Sequence, residues 1–273
     1  MSRLQLRAIF ISDIHLGTRD AQAEHLLDFL RHTDSEYLYL LGDIVDFWKA
    51  RSGWYWPRLH SEVVQALLEK ASRGTRVVYV PGNHDEWLRD YAGAEFNGIE
   101  VRQGLVHVTA TGKRLLLLHG DEFDSAVRCN RLLGHVGSGF YDVLLWLNRA
   151  YNHARRRLGF PYWSLSAWIK GRVKNAVAYV ERFEQAALHE AERHHVDGLV
   201  CGHIHQPALR QEGTLCYANP GDWVEHCSAL VEMPRGELRL IRWAAESLHW
   251  VGEPSAPAAV SAPVGEWAKP PAT

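Results

Sequence analysis

A chain of 273 residues, 47% hydrophobic and 23% charged, is long enough to bury a large core and too polar overall for an integral membrane protein. Its formal charge of −2, with histidines neutral, excludes a polycation that grips nucleic acid by counterion release, so any anion-binding patch must be local. Four cysteines, Cys129, Cys201, Cys216 and Cys227, form no CxxC pair and read as buried free thiols of a reducing cytoplasm, not as a disulfide framework.

Met1 to Arg7 intersperses charges with apolar residues and runs straight into a strand pattern, Ala8 to Ile11, so no export signal is expected. A helical pattern over Ala21 to Arg31 places Leu26, Leu27 and Leu30 on one face, and a second over Glu62 to Arg73 does the same with Val63, Val64, Leu67 and Leu68. Between and after them lie short apolar runs, Tyr37 to Leu41, Val77 to Val80, Leu115 to Leu118 and Gly198 to Cys201. Their continuous apolarity is that of strands buried on both faces. The alternation predicts a layered α/β core.

Residues 1–121 are expected to form its first half. From 122 to 195 the pattern turns helical and reads as an insertion or cap, interrupted at Phe160-Pro161. Strand patterns return over 196–250, through Leu209, Leu215 to Ala218, Ala229 to Met233 and Leu238 to Trp243, and are expected to form a second sheet. The Pro/Ala-rich stretch 251–273 is expected to be a disordered tail. No apolar run approaches the roughly 18 residues that would cross a bilayer. Any membrane would therefore be met from its surface.

Sixteen histidines are unusual for this length, and several stand beside carboxylates just after the strand patterns. Asp13 and His15 follow the first, spaced to share a side if strand geometry continues. Gly42-Asp43-Ile44-Val45-Asp46 follows the second, and Gly82-Asn83-His84-Asp85 the third. His119-Gly120-Asp121 and Gly202-His203-Ile204-His205 follow the fourth and fifth. A single aspartate after a strand is ordinarily a turn or helix-cap residue, and a single histidine a hydrogen-bonded bystander. Five such clusters in order, all at the strand ends where α/β sheets gather ligands, point instead to one site. Oxygen and nitrogen donors without thiolate suit Mn²⁺, Fe²⁺ or Zn²⁺ in a hydrolytic role.

This series resembles the signature of the calcineurin-like metallophosphoesterase superfamily, over about Ile11 to His205. The resemblance implies a four-layer α-β-β-α sandwich with a helical insertion, and two divalent metal ions, Mn²⁺ foremost. It implies that Asp13, His15, Asp43 and His205 hold one ion, and that Asp43, Asn83, His119 and His203 hold the other, with Asp43 bridging. His84 would be catalytic, facing the scissile phosphate, and Asp46 would orient it; read on its own, Asp46 is equally a cap or turn residue.

The flanking residues Ser12-Asp13-Ile14-His15-Leu16-Gly17, Leu41 to Trp48, Gly202 to Pro207 and Asn219-Pro220-Gly221-Asp222-Trp223 are similar to those of the UDP-2,3-diacylglucosamine diphosphatase group of lipid A synthesis. That resemblance implies cleavage of a lipid-linked nucleotide diphosphate at the inner membrane surface. It also implies substrate binding by a basic segment matching Lys170, Arg172, Lys174 and Asn175. From Glu122 to Asn175, nine Arg and Lys stand against three acids, interleaved with Trp146, Trp163 and Trp168. Such a segment suits an anionic lipid surface, and it equally suits a solvated basic face over a tryptophan-filled core. The sequence departs from the group at His84, where the group usually carries arginine. That leaves a paralogous phosphodiesterase or phosphatase as the alternative. A non-catalytic scaffold would be expected to lose ligand positions, and here all seven are filled.

Overall fold

The computed structural model describes residues 3–50, 53–125, 151–152, 155, 157, 174–250 and 265–266. The chain opens with β1 (Leu4–Ile11), α1 (Ala23–His32), β2 (Thr33–Leu41), a short α2 (Phe47–Ala50), α3 (Arg58–Ser72) and β3 (Arg76–Val80). A 3-10 helix (Glu86–Tyr91) precedes β4 (Glu95–Phe96), β5 (Ile99–Val101), β6 (Leu105–Val108) and β7 (Arg114–Leu117). A second 3-10 helix, Asp121–Ser125, follows β7. Then come α4 (Lys174–Arg193), β8 (Gly198–Val200), β9 (Ala208–Glu212), β10 (Leu215–Asn219), β11 (Ser228–Glu232), β12 (Leu238–Arg242), α5 (Trp243–Trp250) and β13 (Gly265–Glu266).

The first sheet runs β12-β11-β1-β2-β3-β5-β4 and the second β13-β6-β7-β8-β10-β9. Parallel pairing of β1, β2 and β3, and of β7, β8 and β10, explains why the apolar runs in these strands lack alternation: both faces are covered. On the outer face of the first sheet, Ile9, Ile11, Leu38, Leu40 and Val77 pack with Leu26, Phe29 and Leu30 of α1 and Val63 and Leu67 of α3. Between the sheets, Phe10, Tyr39, Leu41, Val78 and Val80 meet Leu105, Leu115, Leu117, Val200 and Ala218. On the far side, Leu116, Leu199, Cys201 and Tyr217 pack with Phe183, Ala187 and Ala191 of α4. The layers are therefore α, β, β, α. Each large apolar side chain in them contributes about 1.5–3 kcal/mol through burial.

The space between the sheets is not wholly apolar. Glu232 of β11 accepts a hydrogen bond from Ala110 N–H at 2.7 Å and pairs with His107 Nε2 at 2.7 Å, while Arg7 Nε stands 3.3 Å away. His107 Nδ1 meets the Tyr39 hydroxyl at 3.0 Å. These buried groups come from β1, β2, β6 and β11, so they fasten the two sheets to each other in one register.

The structure differs from the sequence reading at several boundaries. β1 and β2 begin earlier than expected because Leu4, Gln5 and Leu6 pair with Thr33, Asp34 and Ser35, polar residues that conceal the start of a strand. β8, β9 and β10 join the second sheet as expected, but β11 and β12 return to the first, where β11 takes the edge of β1 antiparallel. Within the expected tail, Gly265 and Glu266 pair with Val106 and Leu105, satisfying backbone groups at the edge of β6. The rest of 251–273 lies outside the described residues, as do Cys129, Trp146, Trp163, Trp168, Lys170 and Arg172. Lys174 and Asn175 open α4. Cys201, Cys216 and Cys227 are buried.

Candidate metal centre

The loops that leave β1 and β2 continue the sheet's ladder past the strand ends. Asp13 N–H donates to Gly42 O at 3.0 Å, His15 N–H to Asp43 O at 2.9 Å and Asp46 N–H to Leu16 O at 2.8 Å. The backbone conformation there is not that of a strand. Asp13, His15 and Asp43 have φ of 51°, 53° and 53°, and His203 and His205 have 69° and 53°. So the expectation that Asp13 and His15 share a side because strand geometry continues is corrected: left-handed residues alternate with ordinary ones and curl the chain around a point. Conformations of this kind cost of order 1–3 kcal/mol each and persist where surrounding structure enforces them. Here the enforcing contacts are visible. Asp13 O accepts from Trp223 N–H at 3.1 Å, His203 N–H donates to Asp13 Oδ2 at 3.0 Å, and His84 N–H donates to Asp43 Oδ1 at 2.8 Å.

Side chains from five loops meet around Asp43 Oδ2. His119 Nε2 lies 3.5 Å from it, His15 Nε2 3.8 Å and His84 Nε2 3.9 Å. His205 Nε2 is 3.2 Å from Asp13 Oδ1 and 3.4 Å from His15 Nε2, and His119 Nε2 is 3.3 Å from Asn83 Oδ1. Two groups of donor atoms are compact enough for a cation, Asp13 with His15 and His205, and Asp43 with His119 and His203. The close approach depends on small residues. A Cβ on Gly82 would collide with Asp43 and His119, and one on Gly202 with Asp13 and Ser12.

The donor set fits divalent cations. Asp13 Oδ1 is buried without a hydrogen-bond partner, and facing oxygen and nitrogen atoms stand 3.2–3.9 Å apart, near the roughly 3 Å separation of neighbouring ligands around a cation bound at about 2.1 Å. Burial pushes the carboxyls of Asp13, Asp43 and Asp46 up, but the imidazoles beside them outweigh it. His205 acts on Asp13, His119 on Asp43 and His15 on Asp46, and all three carboxyls are held below the usual carboxylate range. The three carboxyls are thus ionised before any cation arrives. His119 Nδ1–H donates to Leu41 O at 2.8 Å, which turns its Nε2 lone pair towards Asp43 and Asn83.

Asp46 does two things at once. Its Oδ1 accepts from Lys49 N–H at 2.8 Å at the start of α2, the cap foreseen for an isolated aspartate. Its Oδ2 lies 3.2 Å from His15 Nδ1 and 3.1 Å from His84 Nδ1. These three form a further compact group, but it engages the outer nitrogen of His15 while the inner one faces Asp43 and His205. His84 is held edge-on to His15, ring centroids 4.7 Å apart, and stacked on half-exposed Trp48 at 4.2 Å.

Several residues here had no assigned role in the sequence. Buried Asp85 accepts from Ile44 N–H at 2.8 Å, Gly82 N–H at 2.6 Å and the Tyr79 hydroxyl at 2.5 Å, clamping the second loop to the third. Its place in the third motif was the available signal. Asn219 Nδ2 donates to Gly202 O at 2.9 Å, and Ser12 Oγ to Gly221 O at 2.9 Å, so the 219–223 loop underlies both Asp13 and the last motif. Asp124 approaches His203 at 2.9 Å across 79 positions, a contact without local signal.

The model of the family described as calcineurin-like phosphoesterase matches residues 6–207. Curated relatives include proteins named UDP-2,3-diacylglucosamine hydrolase. One from Porphyromonas gingivalis is 27% identical over 84% of this chain and 94% of its own, and one from Aeromonas salmonicida is 28% identical over 90% and 97%. Another, from Azotobacter vinelandii, is 30% identical over 76% and 84%. A solved phosphoesterase from E. coli, Yfce, aligns with 86% of this chain and 98% of its own at 18% identity and a TM-score of 0.41. Among the described residues no helix is long and apolar enough to cross a membrane. With a family match over most of its length and a His/Asp cluster of ligand spacing at its strand ends, the chain belongs to the calcineurin-like phosphoesterase family and is a metal-dependent phosphoester hydrolase.

Proposed function

We propose that this enzyme binds two divalent cations, Mn²⁺ foremost, and hydrolyses the phosphoanhydride of a UDP-linked acylated glucosamine, giving UMP and the acyl-sugar 1-phosphate. The observation that carries this reading is the convergence of six donor side chains around Asp43 in a chain whose relatives are named for that substrate. Asp13, His15, Asp43 and His205 would hold one cation and Asp43, Asn83, His119 and His203 the other. Once bound, the cations would supply charge neutralisation at phosphorus and an activated water near neutral pH.

The chain's own residues do the rest. Asp43, whose Oδ2 lies 3.8 Å from His15 Nε2 and 3.5 Å from His119 Nε2, would serve both groups. His119 and His15 are fixed through their Nδ1 atoms by Leu41 O and Asp46, which leaves Nε2 of each turned inward. His84 stands at the rim, backed by Asp46 and Trp48, where it can stabilise the attacked phosphate or protonate the departing oxygen. In this reading the segment 122–195 is a cap, Lys170, Arg172, Lys174 and Asn175 bind the diphosphate and nucleotide, and the same basic segment meets an anionic inner-membrane surface from the cytoplasm.

The test is direct. Protein loaded with Mn²⁺ is mixed with UDP-2,3-diacylglucosamine and products are followed by ³¹P NMR and mass spectrometry; UMP and acyl-sugar 1-phosphate should form in equal amounts. No UMP at stoichiometric enzyme would remove this substrate. His84 favours a second reading, because the related diphosphatase group usually has arginine there: a paralogue acting on another lipid or nucleotide phosphodiester. Faster turnover of bis-p-nitrophenyl phosphate than of the UDP-sugar would select it.

A further inference from the structure

We propose that Asp124 is a positioning residue for His203, and that Tyr179 holds Asp124 in place, so that both ends of the 126–173 segment are clasped at a metal-ligand histidine. The inference rests on the reading that His203 is a ligand.

His203 enters the cluster from a left-handed backbone position, with its N–H on Asp13 Oδ2. Its backbone is therefore fixed, but its ring needs a separate restraint. Phe183 of α4 flanks the ring at 6.1 Å between centroids and is itself met edge-on by Phe123 at 5.5 Å, and the His119 ring crosses it at 5.2 Å. Flat aromatic walls limit tilt and leave the ring free to flip about its own bond. Asp124 removes that freedom: its Oδ1 lies 2.9 Å from His203 Nε2 and accepts the Tyr179 hydroxyl at 3.0 Å. A donated Nε2–H leaves the lone pair on Nδ1, and an adjoining carboxylate makes that nitrogen more basic. Asp124 is half-exposed and belongs to none of the compact donor groups, so it acts through His203 and not as a further ligand.

The placement adds a consequence. Asp124 sits at the end of the 3-10 helix that leads into residue 126, and Tyr179 lies in the second turn of the helix that follows residue 173. The two flanks meet each other only a hydrogen bond from His203.

The experiment compares the full-length wild type with Asp124→Ala, Asp124→Asn, Tyr179→Phe and His203→Ala by Mn²⁺ titration, with free Mn²⁺ read by EPR and bound metal by elemental analysis. Thermal unfolding provides a check on folding. Asp124→Ala should weaken one Mn²⁺ site about 10–100-fold and spare the other. Tyr179→Phe should weaken the same site by a few-fold, and Asp124→Asn, which keeps an acceptor oxygen, should fall between. Folded Asp124 variants whose two sites both stay within about twofold of wild type, or weaken alike, would overturn the proposal. Should Asp124→Ala fail to fold, Asp124→Asn decides by the same criterion. Two unchanged sites in His203→Ala would instead overturn the ligand reading beneath it.

Discussion

Two clusters of buried histidine and carboxylate occupy this interior, and they are built on opposite principles. Around Glu232, every contributing residue lies on or beside an extended strand, and the carboxylate is met at hydrogen-bond distance by the His107 ring and by Ala110 N–H. Around Asp43, which is itself left-handed like Asp13, His15, His203 and His205, the facing imidazole nitrogens stand 3.5–3.9 Å from Oδ2, too far for a hydrogen bond. Residue type is the same in both. What separates the two is whether the protein meets the carboxylate with rings at hydrogen-bond distance, as at Glu232, or holds the rings apart around a space for something else, as at Asp43 Oδ2.

Substitutions in each cluster should therefore fail in different ways. The largest effect is expected for Asp43→Ala: a loss of turnover of about 10³-fold or more, with bound metal falling by elemental analysis while the protein stays folded. Full metal content in that variant would break the comparison. Glu232→Ala should do the converse. It leaves His107 without its carboxylate and Arg7 with only Glu36, 3.8 Å away, and should lower the unfolding free energy by about 3–5 kcal/mol in urea titration, with metal stoichiometry unchanged at temperatures where it remains folded. A metal defect there would mean that the clusters are coupled through β1 and β2.

Within the reactive cluster, His84→Ala should reduce turnover by about 10²-fold with both metals retained, because its ring faces Asp46 and Trp48 on its outer side. Metal loss equal to that of Asp43→Ala would make His84 a ligand.

The smallest effect concerns a third buried group. Lys70 donates to Thr33 O at 2.5 Å, and burial, helped by Arg3 and Arg73 against Asp34, pushes its pKa down to about 8. Since the folded value lies below the unfolded one, the unfolded chain binds more protons between about pH 8 and 10.5, and stability should rise with pH across that window. Lys70→Met should flatten the rise by roughly 1–3 kcal/mol. An identical pH profile in both proteins would show that water reaches Nζ.

The apolar strand runs and the amphipathic faces of α1 and α3 were legible because burial on one or two faces imposes a period on the sequence. The site was legible for a related reason: parallel strands deliver their carboxyl ends to one edge, so donor residues just after such strands gather whatever lies between them. The polar starts of β1 and β2 were not, because Gln5, Asp34 and Ser35 pair through backbone groups that every residue has. The His107–Glu232 pair was invisible for want of any local pattern: its members are 125 positions apart on strands that read as plain core.

By itself, the sequence determined that this chain folds as layered α/β and carries oxygen and nitrogen donors at five strand ends, since both are written in local order and spacing. Only the tertiary structure decided which sheet β11 and β12 join, that the donors curl inward through left-handed residues, and which nitrogen of each ring looks inward. Those depend on contacts between residues far apart in the chain, such as Leu41 with His119 and Asp124 with His203, whose energies exist only once the layers have closed.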